Sequence, residues 1–330
     1  MRRPIPHVSV IVPTRNRRRM LELAIGSALA QRDVAVEVIV VDEASGDGTA
    51  EYLRGLRDPR LTVVRHDAPL GVARARNAGL ERAEAPWVAF LDDDDVWSPL
   101  KLAAQLTALK EHGPRAWSYV GAVVIDGSLR IVGADRLHAD VELADLLFAY
   151  NAIPGGGSGV VAGTELLRSL GGFDPKLRVV ADWDMWIRLA LAAPAAPVDR
   201  PLVGYLLHPE AMSRDVASLR VELEHVAEKH RRARAERGLA FPWDRWLIWT
   251  AFMLRRSGRR WEPARIYASL SRGRHPQLLA KAALAALWPG WIAIRDRWAI
   301  RDVDPEWLAE AESWIAPLRV TLTEEADNPA

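Results

Sequence analysis

The run Phe90-Leu91-Asp92-Asp93-Asp94-Asp95-Val96-Trp97 places four adjacent carboxylates directly after an apolar stretch. Four neighbouring negative charges repel one another, so the run needs cations to neutralise it. Oxygen-only ligands suit a hard divalent cation such as Mg²⁺ or Mn²⁺, shared with substrate phosphates. The plainer alternative is a solvated acidic turn that caps the following helix. An EF-hand is excluded, because no glycine or distal glutamate follows at the required spacing. Two further clusters belong to the same problem, Pro13-Thr14-Arg15-Asn16 and Asp42-Glu43-Ala44-Ser45. A carboxylate in the second can accept hydrogen bonds from a base imide or a ribose hydroxyl, while a metal at the acidic run can bridge a diphosphate. The chain has neither a Walker-type loop nor a Gly-x-Gly-x-x-Gly after its first strand, which argues against P-loop enzymes and dinucleotide-dependent dehydrogenases.

The elements that must hold these groups alternate between two periods. Val8–Val12, Val36–Val41, Leu61–Val64 and Trp87–Leu91 read as strands, with Val38-Ile39-Val40-Val41 apolar on both faces as in buried parallel strands. Helical stretches at about Arg18–Ala30, Thr49–Arg57 and Gly71–Arg82 lie between them. This order predicts a doubly wound α/β sheet with right-handed crossovers, its three clusters at the carboxyl ends of strands, where such sheets bind ligands. Further on, Lys101–Lys110 reads as a helix, Ser118–Ile125 and Leu129–Val132 as strands, and Ile153–Gly159 as a flexible loop before Val160–Ala162. Asp182–Ala192 reads as a helix and Leu202–Leu207 as a last strand. Beyond Arg214 the pattern is helical, with candidates at Val216–Arg237, Trp243–Arg256, Pro263–Arg272 and Pro276–Leu287, and a frayed acidic end. The shift in composition predicts a boundary that separates residues 1–215 from 216–330.

The chain of 330 residues carries a net charge of +1 and no cysteine, so disulfides, zinc thiolates and a cysteine nucleophile play no part. With no apolar segment in Met1–His7, this fits a cytoplasmic protein. No window holds the roughly 18 apolar residues of a spanning helix, Leu278–Ile294 being broken by Lys281 and Pro289-Gly290.

Four ordered blocks carry a resemblance. Val12-Pro13-Thr14-Arg15-Asn16-Arg17, Val41 to Thr49, Gly71 to Gly79 and Phe90 to Asp95 are similar to the family-two inverting glycosyltransferases of the GT-A fold, a likeness that runs from about Val8 to Ser213. It implies a GT-A type doubly wound mixed sheet of Rossmann-like topology, followed by a C-terminal α-helical region. It also implies that Pro13, Thr14, Arg15, Asn16 and Asp42 hold the nucleotide. Asp92 and Asp94 match the Asp-x-Asp element that holds ribose and metal, with Asp93 close to the nucleotide. Many members have Asp-Asp-Gly-Ser where this chain has Asp42-Glu43-Ala44-Ser45, a departure that blurs the identity of the donor. The later block Ala181-Asp182-Trp183-Asp184 maps the catalytic base onto Asp182, with Ala181 replacing an acid. Asp182 also suits a helix N-cap, and Asp184 reads as a helix-surface or supporting acid. His208 either reaches the metal or diphosphate or is structural, and Arg74 and Asn77 either contact phosphate and ribose or face solvent.

The resemblance therefore implies a metal-dependent enzyme that moves a sugar from a nucleoside-diphosphate donor, UDP-linked, to a hydroxyl of a saccharide or lipid-linked acceptor docked near Gly155–Ser158. The rivals are a nucleotidyltransferase of related topology and a non-catalytic sugar-nucleotide-binding scaffold. From Lys229 to Arg301 the chain has 17 Lys/Arg against 4 Asp/Glu, and nine of its 14 Trp follow residue 240. Packed helices explain this pattern. So does peripheral contact with an anionic membrane at its inner face, since Trp and Arg suit headgroup depth. No motif supports a nucleic-acid partner.

Overall fold

The computed structural model describes residues 5–113, 115–137, 142–208, 216–256, 258–272, 278–287 and 303–327. The first half follows the expected alternation: β1 (Val8–Thr14), α1 (Arg18–Leu29), β2 (Val36–Asp42), α2 (Thr49–Gly55), β3 (Leu61–Arg65), α3 (Val72–Arg82) and β4 (Trp87–Phe90). Strands β1 and β2 are buried at every position, because helices cover both faces of a parallel sheet. Strand periodicity divides their side chains between two cores. Val8, Val10 and Val12 pack with Leu21 and Ile25 of α1, whereas Ile11 packs on the opposite face with Ala75 and Leu80 of α3.

The chain continues through β5 (Val96–Trp97), α4 (Lys101–Leu109), β6 (Trp117–Ile125), β7 (Ile131–Asp135), α5 (Leu143–Ala149), a 3-10 turn (Gly156–Gly159), β8 (Val160–Gly163), α6 (Thr164–Ser169), α7 (Ala181–Ala192) and β9 (Ala195–Leu206). Nine strands form one sheet in the order β3-β2-β1-β4-β8-β6-β9-β5, with β7 paired to β6. The β3-β2-β1-β4 half is parallel, β8 runs antiparallel to both β4 and β6, and β9 returns parallel to β6. This is the expected mixed, doubly wound sheet.

Helices follow: α8 (Val216–Lys229), α9 (Arg231–Glu236), α10 (Trp243–Arg256), α11 (Trp261–Ser271), α12 (Leu278–Leu287) and α13 (Pro305–Asp327). Leu219, Leu223 and Val226 of α8 and Trp246 of α10 join the core beneath α7. The acidic end is not frayed through Asp327. Trp307, Ala311, Trp314 and Ile315 of α13 pack against Val123 and Ile125 of β6, an apolar stripe at helical spacing. Trp246, Trp307 and Trp314 are thus buried by packing, while Trp243 and Trp261 are exposed. No helix among the described residues is long and apolar enough to cross a membrane.

Several elements differ from the sequence expectation. Strand β9 starts seven residues before Leu202, because pairing with β6 continues through Pro197 and Pro201 by way of register shifts. Helices α5 and α6 are too short to show a periodic signal. The long helix expected from Val216 divides at His230 into α8 and α9. The boundary near 215, Pro209–Ser213, Pro276 and the stretch 288–294 lie outside the described residues.

Candidate functional site

Because β2, β1 and β4 are adjacent and parallel, their carboxyl ends open on one edge of the sheet. A cleft of about 960 Å³ lies there, lined by Pro13, Thr14, Arg15, Asn16, Asp92, Asp93, Asp94 and Asp182 among others.

The four carboxylates of the acidic run are held by different sets of partners, with Arg17 shared by Asp93 and Asp94. Asp92 pairs with Arg76 at 2.5 Å. Asp93 accepts from Thr14 Oγ1 at 2.8 Å and from Arg17 Nη1 at 2.9 Å, and Arg15 N is 3.4 Å away. The same Arg17 nitrogen donates to Asp94 Oδ2 at 2.7 Å, and His208 Nε2 lies 2.8 Å from that oxygen. Asp95 accepts from Ser158 Oγ at 2.6 Å and from Leu206 N at 3.0 Å, which ties the run to the glycine turn and to β9. Two guanidinium groups therefore answer the repulsion that the sequence poses. Enough remains that burial and the Asp94 charge push Asp93 up to about 7. Burial, with Asp94 and Asp92, holds Asp95 well above the usual carboxylate range.

The loops after β1 and β2 are tied to each other. Asn16 N donates to Ser45 Oγ at 2.9 Å, and Gly46 N donates to Asn16 Oδ1 at 2.8 Å. Ala44 occupies the left-handed region at φ 55°, where many members of the resembled family carry glycine. A Cβ there costs about 1–2 kcal/mol, against a smaller entropic cost of glycine in the unfolded chain. Ala44→Gly is expected to stabilise the protein by about 0.5–1 kcal/mol in urea denaturation. Asp42 is fully buried and lies behind the cleft wall, where it accepts from Ser45 N at 2.9 Å and pairs with Arg65. Its neighbour Glu43 lines the cleft, accepts from Gly71 N at 2.5 Å and lies 2.7 Å from His66 Nδ1.

Asp182 stands in the first turn of α7 and is not its cap. The N–H groups of Val179 and Val180 donate to Glu222 of α8 at 2.8 and 3.0 Å, so α8 caps the turn that presents Asp182. Glu222→Ala leaves both donors without that acceptor, and an expected loss of about 1–3 kcal/mol is measurable by urea unfolding. Asp182 Oδ1 accepts from Trp183 N at 2.8 Å and Oδ2 from Asn151 Nδ2 at 2.9 Å. Burial raises its proton affinity, the Arg76 charge opposes that, and Asp92 adds to it, leaving it above the ordinary carboxylate value.

The loop expected to be flexible is instead a turn packed between the acids. Gly155 and Gly156 have φ of 65° and 53°, and a Cβ on Gly156 would lie 3.3 Å from Asp182 Oδ2. On Gly157 it would lie 2.7 Å from Arg76 Nη2 and 3.2 Å from Asp92 Oδ2. Ser158, grouped with the docking loop, is buried and bonded to Asp95 and to Asp92 N.

The remaining expected residues fall outside the cleft lining. Arg74 is exposed on α3; two positions on, Arg76 is buried beside Asp92. Asn77 bonds both backbone groups of Phe173, at 2.7 and 2.9 Å, and so clamps the chain before α7. Asp184 is fully buried, not on a helix surface, and meets Arg188, Lys229 and His230. Arg17, Glu43, Arg76 and Asn151 were not singled out from sequence. The first three lie inside the quoted motif blocks, and only burial separates them from surface charges.

Among the described residues no group of three or more His, Cys, Asp or Glu is arranged to hold a metal ion. Asp94 Oδ2 and His208 Nε2 are nevertheless 2.8 Å apart, close to the roughly 2.9 Å between adjacent corners of an octahedron with bonds of about 2.0–2.1 Å. His208 Nδ1 is buried without a partner. Two protein donors fit a Mg²⁺ or Mn²⁺ whose remaining ligands are substrate phosphates and water.

Residues 9–157 match the model of glycosyl transferase family 2. Succinoglycan biosynthesis protein ExoO of Rhizobium meliloti is 36% identical over 146 residues, covering 43% of this chain and 40% of that protein. The putative teichuronic acid biosynthesis glycosyltransferase TuaG of Bacillus subtilis is 42% identical over 118 residues, covering 35% and 46%. The chain thus spans less than half the length of these two relatives. Among solved structures, S. aureus TarS in complex with UDP aligns with a TM-score of 0.52 at 20% identity, over 88% of both chains. The mannosyltransferase PcManGT from Pyrobaculum calidifontis, in complex with GDP-Man and Mn²⁺, aligns at 0.53 and 22%, over 89% and 84%. Both likenesses bear on the fold, which is of the GT-A type.

Proposed function

The chain carries a glycosyl transferase family 2 domain over residues 9–157, and on that premise we propose a metal-assisted, inverting sugar transfer. The donor is a UDP-linked sugar and the acceptor a hydroxyl of a saccharide or lipid-linked saccharide, in the building of a polysaccharide or glycoconjugate. One observation carries this reading: Asp182 lines the same cleft as Asp92, Asp93 and Asp94, with Gly156 against Asp182 and Gly157 against Asp92 and Arg76. A scaffold has no need of a carboxylate at that point, and a nucleotidyltransferase would want a glycine-rich first loop and a lysine near the phosphates.

Asp94 and His208 would hold the cation, which supplies positive charge to the departing diphosphate. Thr14, Arg15 and Asn16 at the end of β1, with Glu43 and the Asp92–Asp93 pair, would border the nucleotide. Asp182 takes the proton of the acceptor hydroxyl as that oxygen forms its bond to the anomeric carbon. The bond from that carbon to the phosphate oxygen breaks in the same step, and its electron pair leaves with the diphosphate. Asn151 and the Trp183 N–H hold the carboxylate in a fixed orientation, so little reorganisation is left for the reaction itself. Arg76, placed between Asp92 and Asp182, limits the rise in proton affinity that burial imposes on the base.

A panel of UDP-sugars with Mn²⁺, screened by thermal shift, identifies the donor. Proton NMR of the product then reads the anomeric configuration. An α-linked donor is expected to give a β-linked product, and retention would overturn the single-displacement reading.

A further inference from the structure

Lys101 opens α4, just after the acidic run and β5, and is completely buried although it lies outside the cleft lining. Among the described residues no carboxylate pairs with it, and burial holds its proton affinity well below the ordinary lysine value. Its Nζ donates to Gln105 Oε1 at 2.8 Å and stands 3.9 Å from the centroid of the Trp97 ring. Trp97, Lys101 and Gln105 follow one another at four-residue spacing. Both neighbours reach the same short segment. Trp97 Nε1 donates to Ser158 O at 2.9 Å, and Gln105 Nε2 donates to Gly159 O at 3.0 Å and Ser118 O at 3.2 Å. Ser158 O and Gly159 O are consecutive carbonyls of the 3-10 turn whose Gly156 lies against Asp182 and whose Gly157 lies against Asp92 and Arg76.

We propose that Lys101 is a positioning residue for the transfer, one that acts through Trp97 and Gln105 to fix the Gly156–Gly159 turn between the base and the nucleotide acids. The inference rests on the sugar-transfer reading above. A lysine carries donors only, so it obliges the Gln105 amide to turn its oxygen toward Nζ and its NH₂ toward the two carbonyls. Reversed, the amide would set its own oxygen against Gly159 O and Ser118 O. The ammonium also holds the Trp97 ring by its face, in the orientation from which the indole N–H reaches Ser158 O. The fold alone has little use for this lysine. Burying a cation without an anionic partner is costly, and an adaptable apolar side chain such as methionine would fill the same space. What the lysine adds is the place of the turn. An outward shift of the turn admits water to Asp182, while the acids keep their bonds to Thr14, Arg17 and Arg76.

The test compares Lys101→Met, Gln105→Met and the double variant in the full chain. Hydrogen exchange over residues 152–160, read by mass spectrometry, reports the turn apart from catalysis. Lys101→Met spares a buried charge but leaves Gln105 Oε1 unpaired, two opposing effects, so its urea midpoint is expected to stay near that of the parent. The Gly156 and Ser158 amides donate to Ile153 O and Gly155 O, and their exchange is expected to quicken about tenfold while other segments keep their rates. UDP affinity with Mn²⁺ should stay within about twofold, and sugar transfer should fall about 10–100-fold. The acid limb of the pH profile should move down toward the ordinary carboxylate range, as Asp182, still facing Arg76 and Asp92, regains water. Because Lys101 acts in part through Gln105, the losses in the double variant should combine to less than their product. A Lys101→Met protein that fails to fold, or whose exchange rises evenly along the chain, supports the fold at large and overturns the proposal. So does a turn that exchanges at the parent rate. If the turn loosens as expected while the parent protein consumes no sugar nucleotide, the hold on the turn stands and the transfer reading fails. If the parent transfers sugar and Lys101→Met does so with the same rate and acid limb, the transfer reading stands and the positioning role fails.

Discussion

Asp182→Asn is expected to lower the rate of sugar transfer by about 10²–10⁴-fold, the contribution of a positioned general base. The replacement is nearly isosteric, and its remaining oxygen can still accept from Trp183 N or Asn151, so α7 keeps its first turn. None of the acids at the nucleotide end bonds to Asp182; its partners are Trp183 N and Asn151. UDP binding measured by calorimetry with Mn²⁺ should therefore match the parent protein. A variant that loses UDP binding together with turnover would sink the assignment of Asp182 as the base. The pH profile carries a second check. Burial and Asp92 raise the proton affinity of Asp182 while Arg76 lowers it, with a net rise. The base acts only when deprotonated, so activity falls as pH drops through that raised value, and the acid limb lies above the ordinary carboxylate range. Arg76→Met removes the opposing charge and moves the acid limb to still higher pH. An acid limb that stays in place would show that some other group titrates.

Asp94→Ala is expected to remove most of the Mn²⁺-dependent gain in UDP affinity. Charge-assisted contacts of this kind are worth about 1.5–3 kcal/mol each, or about ten- to a hundredfold in binding. The fold should survive, because Arg17 still donates to Asp93 at 2.9 Å when its bond to Asp94 is gone. Arg17→Ala is the contrasting variant. It leaves Asp93, only 5% exposed, without the guanidinium that stabilises its charge. Stripping a buried charge of its partner costs several kcal/mol, so this variant is expected to lose stability along with binding. Calorimetry with and without Mn²⁺, alongside urea unfolding, separates the two. Unchanged metal dependence in Asp94→Ala would refute the metal role of that carboxylate.

Most of the sheet was legible from periodicity alone. The apolar runs at Val8, Val36 and Trp87, each closed by a polar cluster, are enough to order β1, β2 and β4 and to place their ends together. Helices α5 and α6 and strand β9 were less legible, because six or seven residues span too few turns to show a period and because Pro197 and Pro201 interrupt a strand pattern. The acidic tail hid its own helix in the same way. Trp307, Ala311 and Trp314 form a stripe among many charges, and only the apolar end of β6, at Val123 and Ile125, makes that stripe worth burying.

The candidate site divides along the same line. By itself the sequence determined which residue types gather at the strand ends, since a motif such as Asp92-Asp93-Asp94-Asp95 is contiguous and its position after β4 follows from local pattern. It also pointed to Asp182, through a block that resembles a family. Tertiary structure alone decided how the charges pair. Arg74 and Arg76 are alike in sequence, yet one faces solvent and the other lies buried beside Asp92. Asp42 and Glu43 are adjacent acids, yet only Glu43 reaches the cleft. The packing of α10 against α7, which brings Trp246 next to Trp183, joins positions more than sixty residues apart. Local pattern reports the face a residue occupies on its own element. The partner across that face is set by how the elements pack, and in this protein the partner decides whether a charge or a ring belongs to the site.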